Sequence, residues 1–296
     1  MPAMGLRVFL VDGTYEMFRY HFALPSHVTS DGQEVAATRG VLNTVLQLIA
    51  SGATHVGVAT DHVIESFRNQ MFRSYKSSAG MAPELLSQFQ LIEDALEAMG
   101  VTVWPMVELE ADDGLASVAA IANDDPRVDQ VVICTPDKDL GQCVRGGRVV
   151  QLDRRKNAVL DEPAIEARFG VLPASIPDYL ALVGDSSDGY PGLPAFGAKT
   201  TAALLHRFGH LEDIPKDPAE WMVAVRGAAT LAATLFERWD EALLYRDLAT
   251  LRIDRSLVKD VDQLEWRGPR AEFAEICERI DGEGVLARAR SLAAAL

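Results

Sequence analysis

Cysteine is scarce in this chain: Cys134, Cys143 and Cys277 are all it has, and no Cys-x-x-Cys pair occurs. An odd, scattered set argues against a disulfide framework or a thiolate zinc site and predicts reduced, structural thiols. Long apolar runs are missing too, and none approaches the roughly 18 residues that a membrane helix needs. The apolar stretch near the start, Val8 to Val11, is cut off by Asp12. It leaves no signal-peptide core, which predicts a cytoplasmic protein without membrane attachment. Low-complexity tracts and internal repeats are absent, and the six histidines show no pair at metal-ligand spacing. Positive charge is in deficit: 28 Lys and Arg stand against 43 Asp and Glu, a net charge of −15. Such a chain repels nucleic acid on average. The repulsion reverses locally if the carboxylates gather around bound cations.

What is present reads as an ordinary globular protein. The 296 residues are 48% hydrophobic and 24% charged, with 22 Gly and 14 Pro. Collagen-like, disordered and coiled-coil classes drop out, and the length suits about two domains. Apolar runs at Arg7 to Val11, at Val56 to Ala59 and at Gln130 to Cys134 predict buried strands, each closing at an acid. Val101 to Trp104 adds a fourth. Between them, helical spacing covers Thr38 to Ile49, Pro83 to Met99 and about Asp112 to Ala122. This alternation predicts an α/β fold with a parallel-sheet core flanked by helices, whose ligands bind at the carboxyl ends of the strands. Beyond about Leu160 short helices are expected at Pro163 to Phe169, Ile176 to Val183, Ala198 to Phe208, Pro218 to Val225, Leu231 to Leu248 and Glu272 to Ile280. The expected division is therefore 1–160, an α/β region, and 161–296, a mainly helical region.

Nine carboxylates stand at expected sheet ends or helix starts: Asp12, Asp61, Glu110, Asp112, Asp113, Asp137, Asp139, Asp185 and Asp188. One acid of this kind is an ordinary cap or turn residue. Nine together suit hard divalent ions, Mg²⁺ or Mn²⁺, better than zinc. Glu110 with Asp113, and Asp185 with Asp188, can share a helical face, while Asp137 and Asp139 point the same way if extended.

The segments Val11-Asp12-Gly13, Glu110-Ala111-Asp112-Asp113, Thr135-Pro136-Asp137-Lys138-Asp139-Leu140 and Leu182-Val183-Gly184-Asp185-Ser186-Ser187-Asp188 resemble, in order and spacing, the motifs of the 5′-nuclease superfamily. In particular they look like the amino-terminal 5′-3′ exonuclease domains of bacterial DNA polymerases I. Ser66-Phe67-Arg68 with Tyr75-Lys76 is similar to the stretch leading into that family's helical arch. The likeness runs from about residue 6 to 255. It implies a PIN-like 5′-nuclease fold with the arch at about 66–90 and a helix-three-turn-helix at about 176–208. It further implies two or three divalent ions, with Asp12, Asp61, Glu110 and Asp112 at a first site. Asp113, Asp137, Asp139, Asp185 and Asp188 would complete a second or act through waters. Lys76 and Arg68 would face the scissile phosphate, Tyr15 would stack on the 5′ nucleotide, and Tyr75 would touch DNA. Gly197, Lys199 and Thr200 would hold the duplex backbone at a turn that also takes a monovalent cation such as K⁺. The expected reaction is hydrolysis of branched, nicked or 5′-flap DNA, with RNA primers in range, to 5′-phosphate and 3′-hydroxyl products. A free-standing, nucleoid-associated monomer is expected.

Three positions depart from the family pattern. Ala79 stands where an arginine is frequent, Ala195 replaces the first glycine of a Gly-x-Gly turn, and Gly189 replaces the usual asparagine. A positive φ at Ala195 would be strained. Gly192 and Gly197 have P-loop spacing, but Ala198 occupies the place of the lysine, which excludes that motif. Leu10-Val11-Asp12-Gly13-Thr14 is also similar to the start of haloacid-dehalogenase-like phosphatases, yet the nucleophile would fall on Leu10, which cannot attack phosphorus. A non-catalytic DNA-structure binder of the same fold is the remaining alternative; the complete set of acids speaks for the enzyme.

Overall fold

The structure, a computed structural model, describes residues 5–296. In chain order its elements are β1 (Leu6–Asp12), α1 (Gly13–Ala23), α2 (Ala36–Ala50), β2 (His55–Asp61), α3 (Arg68–Met71), α4 (Pro83–Leu86), α5 (Gln88–Ala98), β3 (Thr102–Met106), α6 (Ala111–Asp124) and β4 (Val128–Cys134). There follow β5 (Val149–Asp153), β6 (Ala158–Leu160), α7 (Glu162–Phe169), α8 (Ile176–Val183), α9 (Ala198–Phe208), α10 (Ala228–Glu237), α11 (Trp239–Ala249), α12 (Phe273–Arg279) and α13 (Glu283–Ala293). Among the described residues no helix is long and apolar enough to cross a membrane.

Two compact units result. The first comprises residues 1–64, 78–135 and 252–296, and the second 65–77 and 136–251. Both units are discontinuous in sequence: 136–160 goes with the helices, and 252–296 with the first unit.

In the first unit four parallel strands are ordered β3-β2-β1-β4. Every residue of β2 is buried, as expected for a strand covered on both faces. Helix α6 packs on all four strands, and α2 packs against α1, α5 and α13. The register pairs Asp12 with Ala59. Asp12 and Asp61 thus close neighbouring strands at one end of the sheet.

The second unit is built around α8, which packs against α9 and α11, over a core that includes Leu180, Leu182, Leu204, Leu235 and the fully buried Trp221. Strands β5 and β6 form an antiparallel pair. The α8–loop–α9 segment has the boundaries read from the sequence. Its loop folds back on itself, since Leu193 N–H donates to the Leu182 carbonyl at 2.9 Å and Asp185 and Tyr190 exchange backbone hydrogen bonds of 2.8 and 3.0 Å. Gly189 has φ +86°, and a Cβ there would stand 2.3 Å from the Ser74 carbonyl oxygen. Only glycine fits, which accounts for its presence in place of asparagine.

Several expected elements differ. The helix expected over 83–99 breaks at Ser87, because the side chains of Ser87 and Gln88 both donate to the Glu84 carbonyl. The expected 218–225 helix is one turn, Pro218–Glu220, ended by Met222 at φ 52°. The long helix expected at 231–248 is two, divided at Arg238, whose guanidinium turns to Glu241. In the expected arch, α3 and α4 are single short turns.

Ala195 has φ 69°, the strained conformation anticipated above, on an exposed turn. Left-handed backbone costs an alanine about 1–2 kcal/mol, and glycine gives back about half of that as unfolded-chain entropy. Ala195→Gly is expected to raise the melting temperature by about 2 °C, read by differential scanning calorimetry; a fall would contradict the strain.

Candidate metal centre

The second unit brings Asp139, Asp185 and Asp188 together, with one carboxylate oxygen from each lying within 4.8 Å of the others. Three oxygens each about 2.1–2.6 Å from a single ion are separated by at most about 5 Å. Asp139 begins the 3₁₀ turn Asp139–Cys143, and Asp185 follows Gly184 at the end of α8. The Asp185 carboxylate accepts from Ser187 N–H at 2.9 Å and pairs with Lys138. Asp188 has the Lys76 ammonium at 3.8 Å, and Lys76 N–H donates to the Asp188 carbonyl at 3.1 Å. Asp137 stands beside them, accepting from Asp139 N–H at 2.9 Å.

Buried Asp139 has an oxygen, Oδ1, that meets no hydrogen-bond partner. Its carboxyl is pushed well above the ordinary aspartate range, first by burial and then by the charges of Asp137, Asp188 and Asp185. Lys138 opposes this only in part. Burial lowers the Lys138 ammonium, but its hydrogen bond and charge pairing with Asp185 prevail and raise it. A hard divalent cation would satisfy the orphaned oxygen and the repulsion together, and the all-oxygen donor set fits such an ion.

In the first unit four acids gather at the carboxyl end of the sheet and the start of α6. Asp12 caps α1 by accepting from Tyr15 N–H at 2.8 Å, and its other oxygen accepts from the Thr135 hydroxyl at 3.0 Å. Asp61 accepts from Ala111 N–H at 2.8 Å, which ties β2 to α6. Glu110 is the N-cap of α6 in a reciprocal capping box with Asp113, and Asp112 lies in the first turn.

Three of the expected site residues make contacts that serve the fold. Asp113 is fully buried, and its oxygens accept from Glu110 N–H at 2.9 Å and Arg252 N–H at 2.8 Å. It is a capping residue that secures 252 to α6. Arg68 is 1% exposed; its guanidinium lies over the Phe67 ring and donates to the Leu248 carbonyl at 2.8 Å and the Thr250 carbonyl at 3.1 Å. It anchors α3 to the end of α11. Tyr75 is buried in the helical core. Tyr15 is half-buried, Lys199 is exposed, and Gly197 caps α9 without a side chain, so the first-turn N–H groups of that helix have no side-chain cap. Lys138 pairs with Asp185 and screens its charge. Sequence reasoning missed Thr135 and Tyr190, neither of which carries a charge to mark it.

Comparison with known proteins gives this arrangement its place. The description "5′-3′ exonuclease, N-terminal resolvase-like domain" matches residues 7–170, and "5′-3′ exonuclease, C-terminal SAM fold" matches 171–272. The chain is 34% identical over 275 residues to DNA polymerase I of Pseudomonas aeruginosa, covering 89% of this chain and 29% of that protein. It thus spans about three-tenths of the polymerase's length. A 5′-3′ exonuclease of Buchnera aphidicola is 30% identical over 248 residues, 83% of this chain and 81% of that one. Among solved structures, the bacteriophage T5 flap endonuclease, in a pseudo-enzyme-product complex with DNA and metal ions, has the same fold: TM-score 0.65 at 19% identity, over 96% of this chain and 99% of that chain. The fold is that of the 5′-nucleases, a class of phosphodiesterases. The chain belongs to the 5′-3′ exonuclease family, whose members are nucleases.

Two outcomes are expected. Asp139 holds its proton to higher pH when folded than when unfolded, so the stability linked to it is present in acid and lost as pH rises through the elevated value. Asp139→Asn should flatten that loss in metal-free protein, followed by urea unfolding across pH. Arg68→Ala, which orphans buried carbonyls, should cost about 3 kcal/mol by the same assay, unrestored by Arg68→Lys; an unshifted midpoint would show the guanidinium idle.

Proposed function

We propose that the chain is a Mg²⁺- or Mn²⁺-dependent 5′-3′ exonuclease and 5′-flap endonuclease, acting on branched, nicked or flapped DNA and leaving 5′-phosphate and 3′-hydroxyl ends. The observation that carries this is the trio Asp139, Asp185 and Asp188, a buried, mutually repelling set with an unpartnered oxygen. We assign these three to one ion, with Asp137 acting through water, and Asp12, Asp61, Glu110 and Asp112 to another. When bound, such an ion would help ionise the attacking water and stabilise the oxygens of an in-line displacement.

The chain's own groups do the rest. Lys76 stands at the edge of the trio and can donate to a phosphoryl oxygen as charge develops there. Tyr15 offers an aromatic face for the terminal base, worth about 1–3 kcal/mol if stacked. The uncapped N–H groups of α9, with Lys199 and Thr200, suit a duplex phosphate, and the turn before it suits K⁺. We assign the action to a monomer.

The test is a product map on 5′-labelled flap, nicked and single-stranded substrates with Mg²⁺ titrated from zero. Cleavage is expected only with the ion, and Asp112→Ala or Asp185→Ala should lower it at least about a hundredfold. Metal-independent cutting, or undiminished cutting by either variant, would overturn the reading.

A further inference from the structure

Beside the trio stands a second orphan. Tyr190 is 1% exposed, and its hydroxyl, like Asp139 Oδ1, has no hydrogen-bond partner. A buried hydroxyl without a partner costs about 1–3 kcal/mol, so its retention calls for a reason. The ring cannot swing out to find water. It stacks on Tyr245, centroids 5.6 Å apart at 21°, and Tyr245 in turn meets the edge of Phe72 at 5.8 Å. The Tyr190 backbone is fixed as firmly, because it exchanges two hydrogen bonds with Asp185, itself a member of the trio.

The two orphans are complementary: a phenol donates, and a carboxylate oxygen only accepts. They also share surroundings, since the Tyr190 backbone is bonded to Asp185, and a carboxylate oxygen of Asp185 lies within 4.8 Å of one of Asp139. Burial raises the Tyr190 hydroxyl far above its ordinary value, and of the carboxylates adding to this, Asp139 acts most strongly, before Asp188, Asp185 and Asp137.

We propose that Tyr190 is a positioning residue of the metal centre, its O–H donating to the Asp139 carboxylate, directly or through one water, and so fixing the orientation in which that carboxylate meets a divalent ion. The inference rests on the assignment of Asp139, Asp185 and Asp188 as ligands. Groups that hold metal-ligating side chains in place commonly change affinity by about 10–100-fold when removed.

Tyr190→Phe removes the hydroxyl and leaves the stacked ring. The experiment compares full-length wild type, Tyr190→Phe and Asp188→Asn by calorimetric Mn²⁺ titration, and by thermal unfolding with and without Mn²⁺. Tyr190→Phe is expected to bind Mn²⁺ about tenfold more weakly. Its metal-free melting temperature should equal or exceed wild type, while the Mn²⁺-induced rise shrinks. A variant that melts lower by the same amount with and without Mn²⁺ would make the hydroxyl merely structural and overturn the proposal. So would unchanged Mn²⁺ affinity in Tyr190→Phe when Asp188→Asn weakens binding. Should Asp188→Asn itself bind as wild type does, the ligand assignment fails and takes the proposal with it.

Discussion

The second unit is organised by a repulsion. Three carboxylates that would separate in water are held within one ion's reach, in surroundings where like charges are poorly screened. Backbone geometry supplies the restraint: the Asp185–Tyr190 bridge, the turn at Gly189 pressed against the Ser74 carbonyl, and the short turn that begins with Asp139. Asp185 also follows the carboxyl end of α8, where the helix dipole adds to the negative potential. Lys138 and Lys76 relieve part of it. A chain that accepts such a concentration of charge is poised for a cation.

The first unit treats its acids differently. Asp113 is consumed by backbone N–H groups, while Asp12 and Asp61 give some of their oxygen capacity to capping and to tying β2 to α6. A carboxylate with two oxygens can serve structure with one and chemistry with the other, so capping and ligation need not compete. Asp12 and Asp113 each accept on both oxygens, and each oxygen keeps a second lone pair.

Much of this was legible in the residues. Apolar runs ending in acids located β1, β2 and β4, and the punctuation at 184–197 located the loop between α8 and α9, because both signals are local. The strain at Ala195 could be anticipated from the residue type alone. Less legible were features set at a distance. Arg68 and Tyr75 look like surface contacts in a linear motif, and only tertiary packing shows that their partners are Leu248, Thr250 and the helical core. Strands β5 and β6 are short, and α13 is rich in alanine and arginine, so none carries a strong period. The helix expected at 218–225 failed because Met222 adopts a left-handed conformation that no propensity signals.

The discontinuity of the first unit affects how the chain is made. Phe273, Ile280 and Val285 are buried in a segment translated after the whole helical unit, and Asp113 waits for the Arg252 N–H to complete its bonding. On the ribosome the strands that appear first therefore remain unfinished while the helical insert emerges and can fold. The earliest sheet depends on the last helices for closure, and apolar surface on α2 and α5 stays open to chaperones until they arrive.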